Sequence, residues 1–184
     1  MSKICPLTNE PVLYLDCLDC DDRQTCRSDN ISSLPYFLYF DIDGVLNTEN
    51  EWKRGNGLLN EKNVENFCKL VKELRLTPII TSSWRAGFIK EDDPGNSPQI
   101  RSLEEKLKEH GIYIAGKTPE TKNHTRDEEI KYHLKRNPNS GYIILDDDES
   151  EYEYIDEHNY FTESKKGLTE EDTKKIKKKR KGHI

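Results

Sequence analysis

The chain has 184 residues, and its 35 Asp and Glu outnumber its 29 Lys and Arg, so the formal net charge is −6. No stretch approaches the ~20 apolar residues of a transmembrane helix, and the first residues lack the apolar run of a secretory signal, so we expect a cytoplasmic protein without a membrane span. Apolar residues make up only 33% of the chain but lie in clusters, which argues against disorder and predicts a modest core under a strongly hydrated surface.

Residues 1–33 carry four of the five cysteines and are predicted to form a cysteine-bearing appendage. These four are Cys5, Cys17, Cys20 and Cys26. One pair has the C-x2-C spacing typical of a zinc site, but the other pair is irregularly spaced. A structural zinc ion and four free thiols are therefore both open interpretations, whereas Cys68 is expected to be a buried apolar side chain.

Residues 34–170 alternate between short apolar runs and segments whose apolar residues have helical spacing. The strand-like runs cover residues 36–40, 77–81, 112–115, 141–145 and 160–162. The helical segments cover residues 60–75, residues 97–110, and a stretch that begins at an N-cap on Thr125 or Asn123 and ends before Pro138. Because strands and helices alternate, we predict an α/β fold, a three-layer sandwich around a mostly parallel, Rossmann-like sheet.

Three polar clusters directly follow three of the predicted strands. They are Asp41 with Asp43, then Thr81 with Ser82 and Ser83, then Asp146 with Asp147 and Asp148. Ligand sites of parallel sheets lie beyond the carboxyl ends of the strands, so these side chains should meet at one edge. Crowded carboxylates repel one another unless a hard cation joins them, which favours Mg²⁺, and the hydroxyls suit phosphate oxygens. Arg126 would add a fixed positive charge.

Each cluster by itself also has an ordinary explanation. An Asp-x-Asp pair is usually a solvated turn, and an Asp triplet can cap a helix. A calcium-binding loop needs glycine at its sixth position, whereas Gly44 is in the fourth position here and Val45 takes the place of a ligand. The three clusters in order, each after its own strand, are what favour a shared site.

These segments together resemble the four motifs of the haloacid dehalogenase (HAD) superfamily. The matching stretches are Asp41-Ile-Asp43-Gly-Val-Leu-Asn, Ile-Ile-Thr-Ser82-Ser-Trp-Arg, Arg126, and Ile-Ile-Leu-Asp146-Asp147-Asp148. The residues of these motifs are most similar to those of the small capless (C0-type) HAD domains of Swiss-army-knife RNA repair proteins. That group tends to have Gly-Leu-Thr after the last strand, and Gly167-Leu168-Thr169 matches it here. The resemblance covers about residues 36–170 and leaves the cysteine-bearing appendage and the basic C-terminal segment unexplained.

The resemblance implies a magnesium-dependent phosphatase. Asp41 would be the nucleophile that forms an aspartyl-phosphate, and Asp43 would be the general acid and then the general base. The magnesium ligands would be Asp41, the backbone carbonyl of Asp43, Asp146 and Asp147, with Asp148 as a spectator.

The same resemblance implies two groups that hold the phosphoryl group itself. Ser82 would bind its oxygens, although Thr81 and Ser83 leave that assignment open by one residue. Arg126 would stabilise its charge, with Lys117 as the competing candidate on a loop well before the helix.

The spacing of the motifs leaves no room for a cap domain. Residues 48–59 form only a flap, and an open site favours a large substrate such as a nucleic-acid end. Aromatic and basic residues on the flap and beside the second motif would contact a base and a backbone phosphate. They are Trp52, Lys53 and Arg54 on the flap, and Trp84 and Arg85 beside the motif. For Trp84, packing in the core is the alternative.

Residues 171–184 are predicted to be a basic tail. Between residues 165 and 184, nine Lys and Arg exceed three acidic residues by six, so the rest of the chain carries −12. We expect a solvated, disordered end, and binding of RNA or DNA through counterion release is the alternative.

The leading hypothesis for function is a phosphatase of nucleic acid repair that acts on phosphorylated RNA or DNA ends or on nucleotides. A small-molecule phosphatase or 5′-nucleotidase of the same superfamily is the first alternative. A non-catalytic nucleic-acid-binding module is the second, although the presence of both motif-one aspartates argues against it.

Overall fold

A computed structural model describes residues 2–4, 11–13, 34–55, 58–120, 125–154 and 156–181 of the chain. Two short strands, β1 (Ser2–Ile4) and β2 (Pro11–Leu13), pair antiparallel near the N-terminus. The cysteines of the predicted zinc site, Cys5, Cys17, Cys20 and Cys26, lie outside the described residues, so zinc binding stays a prediction, as does the division of the chain into three parts. Within the described ranges, no helix is long and apolar enough to cross a membrane.

A five-stranded, all-parallel sheet forms the centre of the protein. Its strands are β3 (Tyr36–Phe40), β4 (Leu76–Ile80), β5 (Gly116–Lys117), β6 (Gly141–Asp146) and β7 (Asn159–Phe161). They lie in the order β5-β4-β3-β6-β7, so β3 is central. Four of the five residues of β3 are fully buried, as expected of a strand covered on both faces. The predicted α/β fold with a parallel sheet is confirmed.

The described residues form five helices: α1 (Glu49–Arg54), α2 (Glu61–Leu74), α3 (Pro98–Glu109), α4 (Arg126–Arg136) and α5 (Glu170–Lys181). Alternate residues of β3 divide the core into two layers. Leu38 and Phe40 pack in one layer with residues of α2, α3 and α5. Phe37 and Tyr39 pack in the other layer with Ile130 of α4. The molecule is therefore the expected three-layer sandwich.

Local capping chemistry explains where the main helices begin. The Asn60 side chain accepts hydrogen bonds from the backbone nitrogens of Lys62 and Asn63, and Ser97 caps α3 in the same way. At α4, Thr125 forms a capping box with Glu128, so Thr125 rather than Asn123 is the cap.

The third strand differs from its predicted position. The sequence predicted a strand at residues 112–115, but the pairing with β4 forms only at Gly116 and Lys117. The Pro78 carbonyl accepts a hydrogen bond from the Ala115 nitrogen at 2.9 Å, and proline has no N–H to donate back. Pairing along this side of β4 therefore starts one residue later, at Ile79.

The expectation of a solvated, disordered C-terminal end is wrong for residues 170–181, which form α5. Thr169 and Asp172 cap this helix through reciprocal hydrogen bonds. Ile176 is 1% exposed and belongs to the main core. At the far end, Arg180 donates to the Leu74 carbonyl and stacks on the Tyr36 ring at 4.0 Å. The helix closes one face of the sandwich.

We predict that Ile176→Ala lowers the free energy of unfolding by about 2–5 kcal/mol, because it leaves a cavity where α5 meets the core. Urea denaturation followed by circular dichroism measures the effect. The control is Lys178→Ala, which truncates an exposed side chain on the same helix and should change stability by less than about 0.5 kcal/mol. Equal stability of the two variants would contradict the packing of α5.

Candidate active site at the carboxyl edge of the sheet

Strand register brings the first residues after β3 and β4 beside the end of β6. Phe40 is paired with Ile80 on one side and with Leu145 on the other. The residues that follow these three in their strands, Asp41, Thr81 and Asp146, are therefore neighbours at the edge of the sheet. The hydrogen bond from the Asp41 nitrogen to the Leu145 carbonyl, at 2.9 Å, continues this register past the strand. Asp41 therefore lies between the Thr81 backbone and Asp146.

Three carboxylates meet at this edge and form the acidic cluster Asp41, Asp146 and Asp147. One oxygen of each lies within 4.8 Å of the others. Asp41 is 5% exposed and Asp146 is fully buried, so their charges are poorly hydrated. Burial raises the pKa of Asp41 to about 7, Arg126 opposes the shift, and the neighbouring carboxylates add to it.

Arg126, the first residue of α4, bridges two members of the acidic cluster. Its Nη1 atom lies 3.1 Å from Asp41 Oδ1 and also donates to Asp146 Oδ2. Asp41 Oδ1 is buried and takes no hydrogen bond from the described residues, since its contact with Arg126 is an ion pair without hydrogen-bond geometry. Asp41 thus keeps a buried oxygen that is close to a positive charge and is still able to accept a hydrogen bond.

Asp146 is held by four donors at once. Its Oδ1 accepts from the backbone nitrogens of Asp147 at 2.8 Å and Asp148 at 3.0 Å. Its Oδ2 accepts from Arg126 and from the Tyr152 hydroxyl at 2.6 Å. A carboxylate has about four lone-pair sites, so Asp146 is saturated and rigidly placed.

The acidic cluster fits a small divalent cation. Its donors are all carboxylate oxygens, which Mg²⁺ prefers, and Asp41 has the buried oxygen without a hydrogen-bond donor. Burial also raises the pKa of Asp147, a hydrogen bond from Ser164 opposes this, and the charge of Asp146 adds to it. Because the four donors occupy Asp146, Asp41 and Asp147 are the better direct ligands.

Asp43 lies outside the acidic cluster, and its carboxylate is held by two neutral donors. Asn47 Nδ2 donates to Oδ1 at 2.8 Å, and the Trp84 indole donates to Oδ2 at 3.0 Å. Asn47 also accepts from the Gly44 nitrogen, which closes the turn after Asp43. Each oxygen of the Asp43 carboxylate thus has one donor that fixes its direction, and the backbone carbonyl of Asp43 as a metal ligand stays a prediction.

Gly44 is required by both its conformation and its neighbour. Its φ is +74°, and a Cβ added there would lie 2.1 Å from Asp147 Oδ2. The Gly44 carbonyl accepts a hydrogen bond of 2.7 Å from Thr162, beyond β7. The motif-one turn and the acidic cluster are thus packed against each other.

The hydroxyls of the second motif take different environments. Ser82 is 1% exposed and accepts from the Trp84 nitrogen as the cap of the 3-10 turn Ser83–Gly87. Thr81 is fully buried, and its hydroxyl has no partner among the described residues. Ser83 is exposed. The binding of phosphate by one of these three hydroxyls stays a prediction.

Arg85 faces into the protein rather than toward a substrate. It donates to the Thr81 and Ser82 carbonyls, and its Nη2 lies 2.6 Å from Glu129 of α4. The side chains of this ion pair are 13% and 4% exposed. The predicted contact of Arg85 with a substrate phosphate is not supported; Arg85 instead ties the motif-two turn to the helix that carries Arg126.

Two other predicted contacts also lie away from the acidic cluster. The Lys117 ammonium donates to the Arg85 carbonyl at 2.9 Å and pairs with Glu120, so Arg126 rather than Lys117 reaches Asp41. On the flap, Lys53 is exposed and pairs with Glu49 within α1. The side chain of Trp52 lies outside the described residues.

The Gly-Leu-Thr segment has a structural explanation. Gly167 has a φ of +61°, and a Cβ there would lie 2.0 Å from the Asn63 side chain. The Leu168 nitrogen donates to the Val45 carbonyl at 2.8 Å, and Asn66 donates to the Leu168 carbonyl at 2.9 Å. The segment therefore fastens the motif-one loop to α2 before Thr169 begins α5.

Sequence reasoning missed four residues that support the site: Asn47, Glu129, Tyr152 and Thr162. Asn47 was signalled by its place in the motif-one stretch, four residues after Asp43. Nothing in the sequence around the other three indicated their roles, because each contacts a residue that is distant along the chain or lies in a different element.

A family model described as the HAD domain in Swiss Army Knife RNA repair proteins matches residues 37–173. The matched range contains the acidic cluster, Arg126, Asp43 and the Gly-Leu-Thr segment. A search of curated proteins found no match to the chain.

We predict that Gly44→Ala weakens Mg²⁺ binding, because the new methyl group displaces Asp147 in addition to straining the backbone. Isothermal titration with MgCl₂ measures binding, and urea denaturation measures stability. Gly111→Ala is the matched control: its φ is +63°, and nothing lies within 4 Å of the added Cβ.

Both variants should lose about 1–2 kcal/mol of stability from the left-handed backbone, but only Gly44→Ala should lose Mg²⁺ affinity. If the two variants bind Mg²⁺ equally well, Asp147 is not a ligand.

Proposed function

The chain belongs to the family of HAD domains in Swiss Army Knife RNA repair proteins, and on that basis we propose that it is a magnesium-dependent phosphatase of phosphorylated nucleic-acid ends or nucleotides. The observation that carries the proposal is the contact of buried Asp41 with Arg126 at 3.1 Å beside two further carboxylates. A carboxylate in this position can attack a phosphoryl group that Arg126 and a cation hold in place.

In the first step, an oxygen of ionised Asp41 attacks phosphorus and forms an aspartyl-phosphate. The phosphorus–oxygen bond to the leaving group breaks, and the leaving oxygen takes a proton from the Asp43 carboxyl group. The hydrogen bonds from Asn47 and Trp84 to Asp43 support this role, because they fix the direction of both carboxyl oxygens.

In the second step, Asp43 is the base. It takes a proton from a water molecule, whose oxygen attacks the phosphorus of the aspartyl-phosphate and releases inorganic phosphate from Asp41. The proton that Asp43 gave to the leaving oxygen is thereby replaced, and both aspartates return to their starting forms.

Mg²⁺ would supply charge neutralisation and orientation of the phosphate at this site. Asp41, Asp147 and the Asp43 backbone carbonyl would hold it, and Asp146 would position Arg126 and the cluster. A cation next to Asp41 would favour its ionised, nucleophilic form and so oppose the rise in pKa that burial causes.

The open edge of the sheet supports a large substrate. Between β3 and β4 the described chain contains only the six-residue helix α1 and helix α2, and α2 packs on the sheet. A nucleic-acid end can approach an edge that no cap domain of the described residues encloses.

A small-molecule phosphatase or 5′-nucleotidase is the second candidate, and the placement of the basic helix favours it. Lys174, Lys175 and Lys177 pair with acidic side chains. Arg180 lies on Tyr36, at the opposite end of β3 from Asp41, roughly 16 Å away along the strand. A short substrate bound at Asp41 would not reach Arg180.

We predict that Asp41→Asn abolishes phosphate release from p-nitrophenyl phosphate, because the amide cannot act as the nucleophile, and that Asp43→Asn lowers kcat by ~10²–10⁴-fold. Release should also require added Mg²⁺. The control is Asp148→Asn, since Asp148 is exposed and only caps the turn Glu149–Glu151. Activity of Asp41→Asn at the control's level would refute the aspartyl-phosphate.

We also predict that reversing charge with Lys178→Glu and Lys179→Glu lowers kcat/KM for a long 5′- or 3′-phosphorylated oligonucleotide, most strongly at low salt. A mononucleotide should be unaffected because it cannot span the sheet. Lys135→Glu plus Arg136→Glu on α4 changes net charge equally and is the control. If the α5 variant leaves the oligonucleotide rate unchanged, the small-molecule alternative is favoured.

A further inference from the structure

A cavity of about 250 Å³ opens beside Trp84. It lies between the 3-10 turn that follows β4 and the N-terminus of α3, at the carboxyl edge of the sheet. Its lining residues are Ser83, Trp84, Gly87, Ser97 and Gln99. The volume is below the ~300–1,000 Å³ of pockets for drug-sized ligands, so it suits one compact group.

Trp84 connects this cavity to the chemistry. Its indole nitrogen donates to Asp43 Oδ2 at 3.0 Å, and the same side chain lines the cavity. A group bound there is therefore next to the residue that would protonate the leaving oxygen.

The lining selects for a neutral, planar group with hydrogen-bonding edges. No lining side chain is charged, so the cavity is not built for a second phosphate or an ionised amino-acid side chain. The Gln99 amide both donates and accepts, and the Ser97 hydroxyl accepts from the Ile100 nitrogen while keeping its own proton to donate. Trp84 offers an aromatic surface for stacking.

We propose that this cavity binds the nucleoside that carries the scissile phosphate, with its base stacked on Trp84 and its edge hydrogen-bonded to Gln99. The inference rests on the proposed phosphatase function and specifies the leaving group. Trp84 would then have two roles: its ring stacks on the base, and its indole nitrogen donates to the Asp43 carboxylate.

Fluorescence tests the binding without any turnover. The chain has two tryptophans, so a Trp52→Phe protein reports on Trp84 alone. Adenosine and uridine monophosphates, each with a 3′- or 5′-phosphate, should quench this emission at saturation, and ribose 5-phosphate, which lacks a base, should not. Equal quenching by ribose 5-phosphate, or no quenching by any nucleotide, would overturn the proposal.

Kinetics provides the second test. Gln99→Glu replaces the amide donor in the cavity lining by a negative charge, so the ratio of kcat/KM for a nucleoside monophosphate to that for ribose 5-phosphate should fall about tenfold. Lys106→Gln, elsewhere on α3, changes the net charge equally and should leave the ratio unchanged. An unchanged ratio in Gln99→Glu refutes base recognition at this cavity.

The two proposals fail in different ways. Suppose that the protein hydrolyses p-nitrophenyl phosphate, but nucleotides do not quench Trp84 or Gln99→Glu leaves the kcat/KM ratio unchanged. This result rejects the nucleoside cavity alone. A wild-type protein that hydrolyses no phosphate ester rejects the phosphatase function, and quenching by nucleotides in that protein would still identify the cavity as a nucleoside site.

Discussion

The ion contacts of Arg126 with Asp41 and Asp146 are the interaction on which the rest of this structure depends. Two buried carboxylates at one sheet edge would repel each other strongly in a low-dielectric site. Arg126 lowers that cost, and the four donors to Asp146 fix one of the two anions. Asp41 keeps an oxygen that no hydrogen bond of the described residues occupies.

The surrounding protein serves to hold this arrangement. Arg126 begins α4, and α4 is tied to the motif-two turn through the buried ion pair of Arg85 and Glu129. The motif-one turn is tied to β7 through Thr162 and to the start of α5 through Leu168. Each of these contacts joins elements that are far apart in sequence, and together they fix the two turns that carry Asp43 and Trp84.

The opposite ends of the sheet are chemically different. The carboxyl edge holds the acidic cluster and the uncharged cavity beside Trp84, whereas the amino edge holds the cationic end of α5 stacked on Tyr36. A polyanionic substrate that starts at Asp41 reaches Arg180, at the C-terminal end of α5, only after it passes along the molecule. Length of the substrate is therefore the property that separates the two functional candidates.

The sequence by itself determined the alternation of strands and helices, three of the main helices and the three polar clusters, because hydrophobic periodicity and capping depend on residues within one or two turns of each other. Asp41, Asp43 and Asp146 could be found this way, since each lies in or next to a recognisable strand end. The tertiary structure decided that Trp84 holds Asp43, that Arg85 pairs with Glu129 and that Tyr152 reaches Asp146. It also decided that α5 packs on the core through Ile176, in a segment whose composition indicated a solvated tail. These outcomes depend on contacts between distant segments, whose geometry is set only when the sheet and helices pack together.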